Sequence, residues 1–194
     1  VEITVAHRIQ QQQKNYLNIL LHKPVGIVSS QPVEGETPAI HLLTKENFWD
    51  PSVDIPCVPR YQPKLAVAGR LDKDSRGLLL FTQDGRIAKQ VIGENSKLTK
   101  RYIVTVREPV TRSHIQALRS RKIMDGQLLK EASFNYITGS TFGVELQEGK
   151  NRQIRRMCQR IGLTVIDLLR IRIGLETISG LPVGKWRFLE QLRK

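Results

Sequence analysis

The stretch GRLDKDSRGLLLFT, residues 69–82, sets two carboxylates and three cationic side chains directly ahead of an apolar run. Its second half, RGLLLFT, is continuous rather than alternating, which reads as a strand buried on both faces. Its first half places Asp72 and Asp74 among Arg70, Lys73 and Arg76. That half is either a solvated turn before a strand or a place where one aspartate is a reagent.

Working outward, QDGRIAKQVIG carries Ile87, Ala88, Val91 and Ile92 at helical spacing, with Gly93 as a stop. KRYIVTVRE (100–108) alternates like a strand. TRSHIQALRSRK opens on Thr111 as an N-cap and sets Ile115 and Leu118 on one helix face. ASFNYIT and TFGVELQ are joined by Gly139 and Ser140, a hairpin signal. TVIDLLRIRIG is a strand region, and LPVGKWRFLEQ a final turn and strand or short helix. Upstream, YLNILLHKP (16–24) reads as a buried strand ended by Pro24, followed by the Pro-x-Gly turn of KPVGIVSS. Residues 44–65 hold Pro51, Pro56, Pro59 and Pro63 and read as a long loop pinned by Phe48 and Trp49. No internal repeat is present. Strands dominate and helices do not alternate with them, so the class is α+β with a largely antiparallel sheet.

The 194 residues suit one domain, and 31 Lys and Arg against 18 Asp and Glu give a net charge of +13. Such a charge points to a polyanion, because each neutralised phosphate releases condensed counterions. Cys57 and Cys158 have no partner spacing, so no disulfide framework or zinc site is implied and a reducing compartment fits. The four His make no metal cluster, and no stretch is long and apolar enough to span a membrane. Residues 1–16 read as an N-terminal arm or linker, with the unbroken glutamines Gln10 to Gln13, or as the tail of a missing domain. The chain opens on Val1 without Met and is expected to lack an N-terminal portion of the natural protein.

EGKNRQIRRMCQRIG (148–162) is a basic helix from about 151 to 162 whose Ile154, Met157, Cys158 and Ile161 form an apolar stripe. At about 100° per residue, Arg152, Arg156 and Arg160 gather on the far side, facing solvent or phosphates. Arg155 sits on the stripe's border, where it must snorkel or meet an anion from elsewhere in the chain. Gly149 marks the turn into the helix, whose N-terminus is itself an anion site. Cys158 reads as a core side chain rather than a nucleophile.

Together, GRLDKDSRGLLLFT, KRYIVTV and EGKNRQIRRMC, in this order and preceded by LLHKPVGIVSS, resemble the signature segments of the RNA pseudouridine synthases, in the branch that modifies ribosomal RNA of the small or large subunit. The resemblance covers residue 17 to the end and implies a catalytic domain over 17–194. It implies the family's fold, a largely antiparallel mixed sheet with flanking helices and a central RNA-binding cleft. It implies that Asp72 is the catalytic aspartate, that Arg70 displaces and replaces the flipped base, that Tyr102 stacks on the uracil and that Arg155 pairs with the catalytic aspartate. Lys23 and Lys100 belong to the pattern, and with Arg152 and Arg156 they are expected to bind RNA. Arg107, Arg119, Arg121, Arg170 and Arg172 are expected to be solvated or phosphate-facing. Asp74 is expected to be a turn or cap residue.

The implied reaction detaches uracil from C1′, turns it and rejoins it through C5. No redox change occurs, so no cofactor and no metal are expected. A carboxylate suits it as nucleophile or general base. The base must leave its stack, which asks for a displacing residue and an aromatic platform. The expected protein is a cytoplasmic monomer isomerising a uridine of ribosomal RNA. The rival readings are a non-catalytic RNA-binding ribosome-assembly factor, a tRNA-directed synthase and a carboxylate-based glycosylase. Two features depart from the pattern: many members carry a small N-terminal RNA-binding domain where only residues 1–16, a possible remnant of it, precede the first motif here, and the 44–65 loop is longer than the usual link. Both bear on which RNA is chosen.

Overall fold

In the computed structural model, residues 16–55 and 57–189 are described. Apart from Tyr16, the expected N-terminal arm lies outside them.

RGLLLFT forms β3 (Arg76–Thr82), and six of its seven residues are buried. Leu79 and Phe81 join one apolar cluster, and Leu78 and Leu80 join a second on the opposite face. The expectation of burial on both faces holds, and this strand lies near the middle of the sheet. Its neighbours are β1 (Asn18–Lys23) and β9 (Val165–Ile173). The full path is β11 (Trp186–Phe188), β1, β3, β9, β4 (Lys100–Val106), β8 (Thr141–Leu146) and β7 (Ala132–Thr138). Two short strands lie off this path: β2 (Ala66–Ala68) pairs with β3, and β10 (Glu176–Thr177) with β9. A separate two-stranded piece joins β5 (Ile123–Met124) to β6 (Gln127–Leu128). β3 and β9 pair in parallel, and the other named ladders are antiparallel. The class is α+β, as expected.

Among the described residues, three α-helices cover the sheet. Helix α1 (Gly85–Ile92) starts at Asp84, whose side chain accepts from the Arg86 N–H, and stops at Gly93. Its Val91 packs with Leu20, Leu78 and Leu80. Helix α2 (Arg112–Ser120) begins with a capping box: Thr111 Oγ1 accepts from the His114 N–H and His114 Nδ1 accepts from the Thr111 N–H. Helix α3 (Gln153–Gln159) packs Ile154, Met157 and Cys158 into the opposite cluster. The β7–β8 hairpin turns at Gly139, which has φ +50.

The 44–65 loop is held by Phe48, whose ring stacks at 4.8 Å from Trp186 and 5.8 Å from Phe188. Trp49 is 46% exposed and pins the loop less than Phe48 does; its backbone N–H donates to Trp186 O. Among the described residues, no helix is long and apolar enough to cross a membrane.

Candidate active site

The charged half of the opening stretch becomes a loop, 69–75, between β2 and β3. Two residues of the preceding turn clamp it. Ser29 Oγ donates to Leu71 O at 2.5 Å and accepts from the Leu71 N–H at 2.8 Å. The Gly26 N–H donates to Lys73 O at 2.8 Å. Asp72 lies between these anchors, and its own carbonyl accepts from the Ser75 N–H. The turn is braced in its turn by Lys23, whose ammonium donates to Pro24 O and Ile27 O at 2.8 and 2.7 Å.

Asp72, Arg70 and Tyr102 line one cavity of about 790 Å³, together with Asp74, Arg152 and Ile154. That volume falls in the range of small-molecule sites. Tyr102, 6% exposed, comes from β4 and joins Leu71, Leu146, Ile154 and Leu168 in the apolar part of the lining. Arg70 is exposed and donates to Gln31 Oε1 at 3.3 Å. Lys73 pairs with Glu36 at 2.9 Å across the same cavity.

Arg155 is placed differently from the expectation. It meets Asp74, not Asp72, with Nε 3.5 Å from Asp74 Oδ2. Its Nη2 donates to Asp74 O and Ser75 Oγ at 2.8 and 3.1 Å, so it braces the back of the loop and is not among the cavity-lining side chains. The ion pair to Asp72 is made by Arg152, at 3.6 Å, which also forks onto Asp74. Arg152 therefore does not join Arg156 and Arg160 on the far side of a helix. The helix begins only at Gln153, and Arg152 is its N-cap with φ +48. Arg156 turns to Asp125. Asp74 bonds distant guanidinia rather than acting only as a local turn residue, and Arg152 beside it holds its carboxyl below the usual range.

Three other cations are corrected. Lys23 and Lys100 are 0% and 4% exposed, so neither presents a charge to RNA. The Lys100 ammonium donates to Val91 O at 2.8 Å. Arg170, 1% exposed, is not solvated: its Nε donates to Leu78 O and its Nη2 to Gly69 O, both at 2.7 Å. It ties the strand of β9 to both ends of the aspartate-bearing segment. Arg172 pairs with Glu145, and Arg119 donates to Phe134 O. Cys158 is buried, which pushes its thiol up to about 12, in keeping with a core side chain. Among the described residues no cluster of His, Cys, Asp and Glu could hold a metal.

Burial pushes Lys23 and Lys100 each down to about 8. Between pH 8 and 9 the unfolded chain keeps both protons while the folded chain releases them, so stability rises with pH there. The rise is about 1 kcal/mol per lysine, less about 0.5 kcal/mol from Cys158, whose thiol stays protonated in the fold while it ionises in the unfolded chain. Chemical unfolding at the two pH values should show it, and Lys100→Met should remove one lysine's share. A flat or falling wild-type profile contradicts charged-state burial as the cause.

The family model described as RNA pseudouridylate synthase matches residues 16–160. The chain belongs to the RNA pseudouridylate synthase family. It is 34% identical over 171 residues to the dual-specificity RNA pseudouridine synthase RluF of Escherichia coli (strain K12), covering 88% of this chain and 53% of that protein. It thus spans about half the length of the relative it matches there. It is 30% identical over 188 residues to the ribosomal large subunit pseudouridine synthase E of Xanthomonas campestris pv. campestris, covering 87% of this chain and 93% of that one. A crystal structure of a pseudouridylate synthase superposes with a TM-score of 0.74 at 26% identity, covering 91% of this chain and 71% of that chain. The pseudouridine synthase fold that was expected is the fold observed over the described residues.

Sequence reasoning missed Ser29 and Arg170. Nothing in KPVGIVSS separates Ser29 from Ser30. The alternation of LLRIRIG puts Arg170 and Arg172 on one side, but only the pairing of β3 with β9 supplies the carbonyls that bury the first.

Proposed function

We propose that this chain isomerises a uridine of RNA, in ribosomal RNA, to pseudouridine, with Asp72 as the reagent. The reading is supported most by one arrangement: Asp72 and Tyr102 share a cavity that has apolar lining on one side and Arg70, Lys73, Lys150 and Arg152 among its walls. In the reaction the C1′–N1 bond breaks and a C1′–C5 bond forms. N1 gains a proton and C5 loses one, so atoms balance without an oxidant or a cofactor. Asp72 serves as nucleophile or general base. Tyr102 offers its ring to the extruded uracil, and exposed Arg70 takes the gap left in the stack. Lys150 meets phosphates, which give affinity without sequence information, while Arg152 is taken up by the two carboxylates of the loop. Arg155 contributes through the loop it braces. The names of the relatives favour ribosomal RNA as the substrate class.

The test is a map of pseudouridines in total RNA from cells with and without the gene. Loss at a ribosomal RNA position is the expected result. Loss only in tRNA contradicts the ribosomal assignment, and no loss anywhere contradicts the enzyme.

A further inference from the structure

Two carboxylates compete for one guanidinium in the cavity. Arg152 donates from Nη1 to Asp74 Oδ1 at 3.0 Å and from Nη2 to Asp74 Oδ2 at 2.9 Å. The same Nη1 stands 3.6 Å from Asp72 Oδ2, beyond hydrogen-bond length. A two-pronged guanidinium–carboxylate fork is the stronger arrangement. Arg152 has φ +48, a left-handed conformation that a residue with a Cβ seldom adopts. The side chain is 44% exposed, so its carboxylate partners rather than close packing set its position. The Asp74 backbone is fixed without its carboxylate, because Arg155 donates to Asp74 O and Ser75 Oγ.

We infer that Asp74 is a positioning residue: its carboxylate holds the Arg152 guanidinium in a fork and keeps it one step off Asp72, leaving the Asp72 oxygens free for the substrate. This extends the proposed function and depends on Asp72 being the reagent. Without the charge at position 74, Asp72 is the remaining carboxylate beside Arg152. The guanidinium closes on it and occupies the oxygens that the reaction needs.

The test is a four-protein cycle: wild type, Asp74→Asn, Arg152→Ala and the double variant. Turnover is read as tritium released from RNA labelled at uridine C5, at saturating RNA. Asp74→Asn is expected to lower kcat about five- to tenfold, the scale of one hydrogen bond to a charged group, with KM little changed. In the Arg152→Ala background the same substitution is expected to change kcat less than about twofold, because the competing guanidinium is gone and Arg155, which loses its 3.5 Å ion pair to Asp74 in both backgrounds, stays held by Asp74 O and Ser75 Oγ. An unchanged kcat in Asp74→Asn, or an equal fall in both backgrounds, overturns the inference. A loss of fold would strike both backgrounds alike and so counts against it. Wild-type turnover with an inactive Asp72→Asn on the same RNA tests the proposed function separately.

Discussion

Replacing Asp72 by Asn is expected to reduce tritium release from C5-labelled RNA by at least about 1,000-fold, the order lost when a covalent or acid–base reagent is removed. Asn matches the shape of Asp but can neither attack carbon nor take a proton. The loop around it should persist, because its anchors are backbone groups: Leu71 with Ser29, Lys73 with Gly26 and Asp72 O with the Ser75 N–H. RNA affinity should stay within about twofold, since phosphate contacts carry most of it. Turnover above a tenth of wild type, with affinity kept, would place the chemistry elsewhere in the cavity.

Gly77→Ala should be the most destabilising single change near the site. Gly77 has φ +115, a conformation that side chains with a Cβ rarely adopt. A Cβ there would lie 2.3 Å from Arg170 O and 2.6 Å from Arg170 N. Those atoms belong to β9, which is held between β3 and β4, so they have little room to give. Strain and overpacking together should cost about 3–4 kcal/mol or more. For a chain of this size that lowers the thermal midpoint by about 10 °C. Gly85 opens α1 and has nothing within 4 Å of an added Cβ. Gly85→Ala should therefore leave the midpoint unchanged or raise it slightly. Equal midpoints for the two variants would contradict the close β3–β9 approach.

The longer strands were legible because each announces itself locally, whereas β2, β5, β6 and β10, two or three residues each, carry no such pattern. RGLLLFT is continuous and sits covered on both faces, while β4 alternates buried and half-buried residues along its length. The hairpin and the Thr111 cap were equally local. What escaped was non-local. Lys23 and Lys100 read as surface cations because lysine is seldom buried. They are buried because carbonyls of the 24–27 turn and of α1 receive their ammonium groups. The border position of Arg155 did signal a need for an anion, and it finds Asp74 with two oxygens of the loop. Arg152 was misplaced for a definite reason. A spacing of about 100° applies only inside a helix, and the left-handed cap at Arg152 stands outside it. The charges of the opening stretch thus divide by partner: Asp72 faces the cavity, Asp74 gathers two arginines, and Arg76 forks onto Asp167 at 2.8 and 2.7 Å.

The measurement that bears most directly on the central claim is nucleoside analysis of unmodified ribosomal RNA after incubation with the purified protein. Pseudouridine should appear in step with uridine lost, with no free uracil, and Asp72→Asn should leave the RNA unchanged. Free uracil with abasic ribose, or RNA that is bound by the wild-type protein but not altered, would contradict the isomerase.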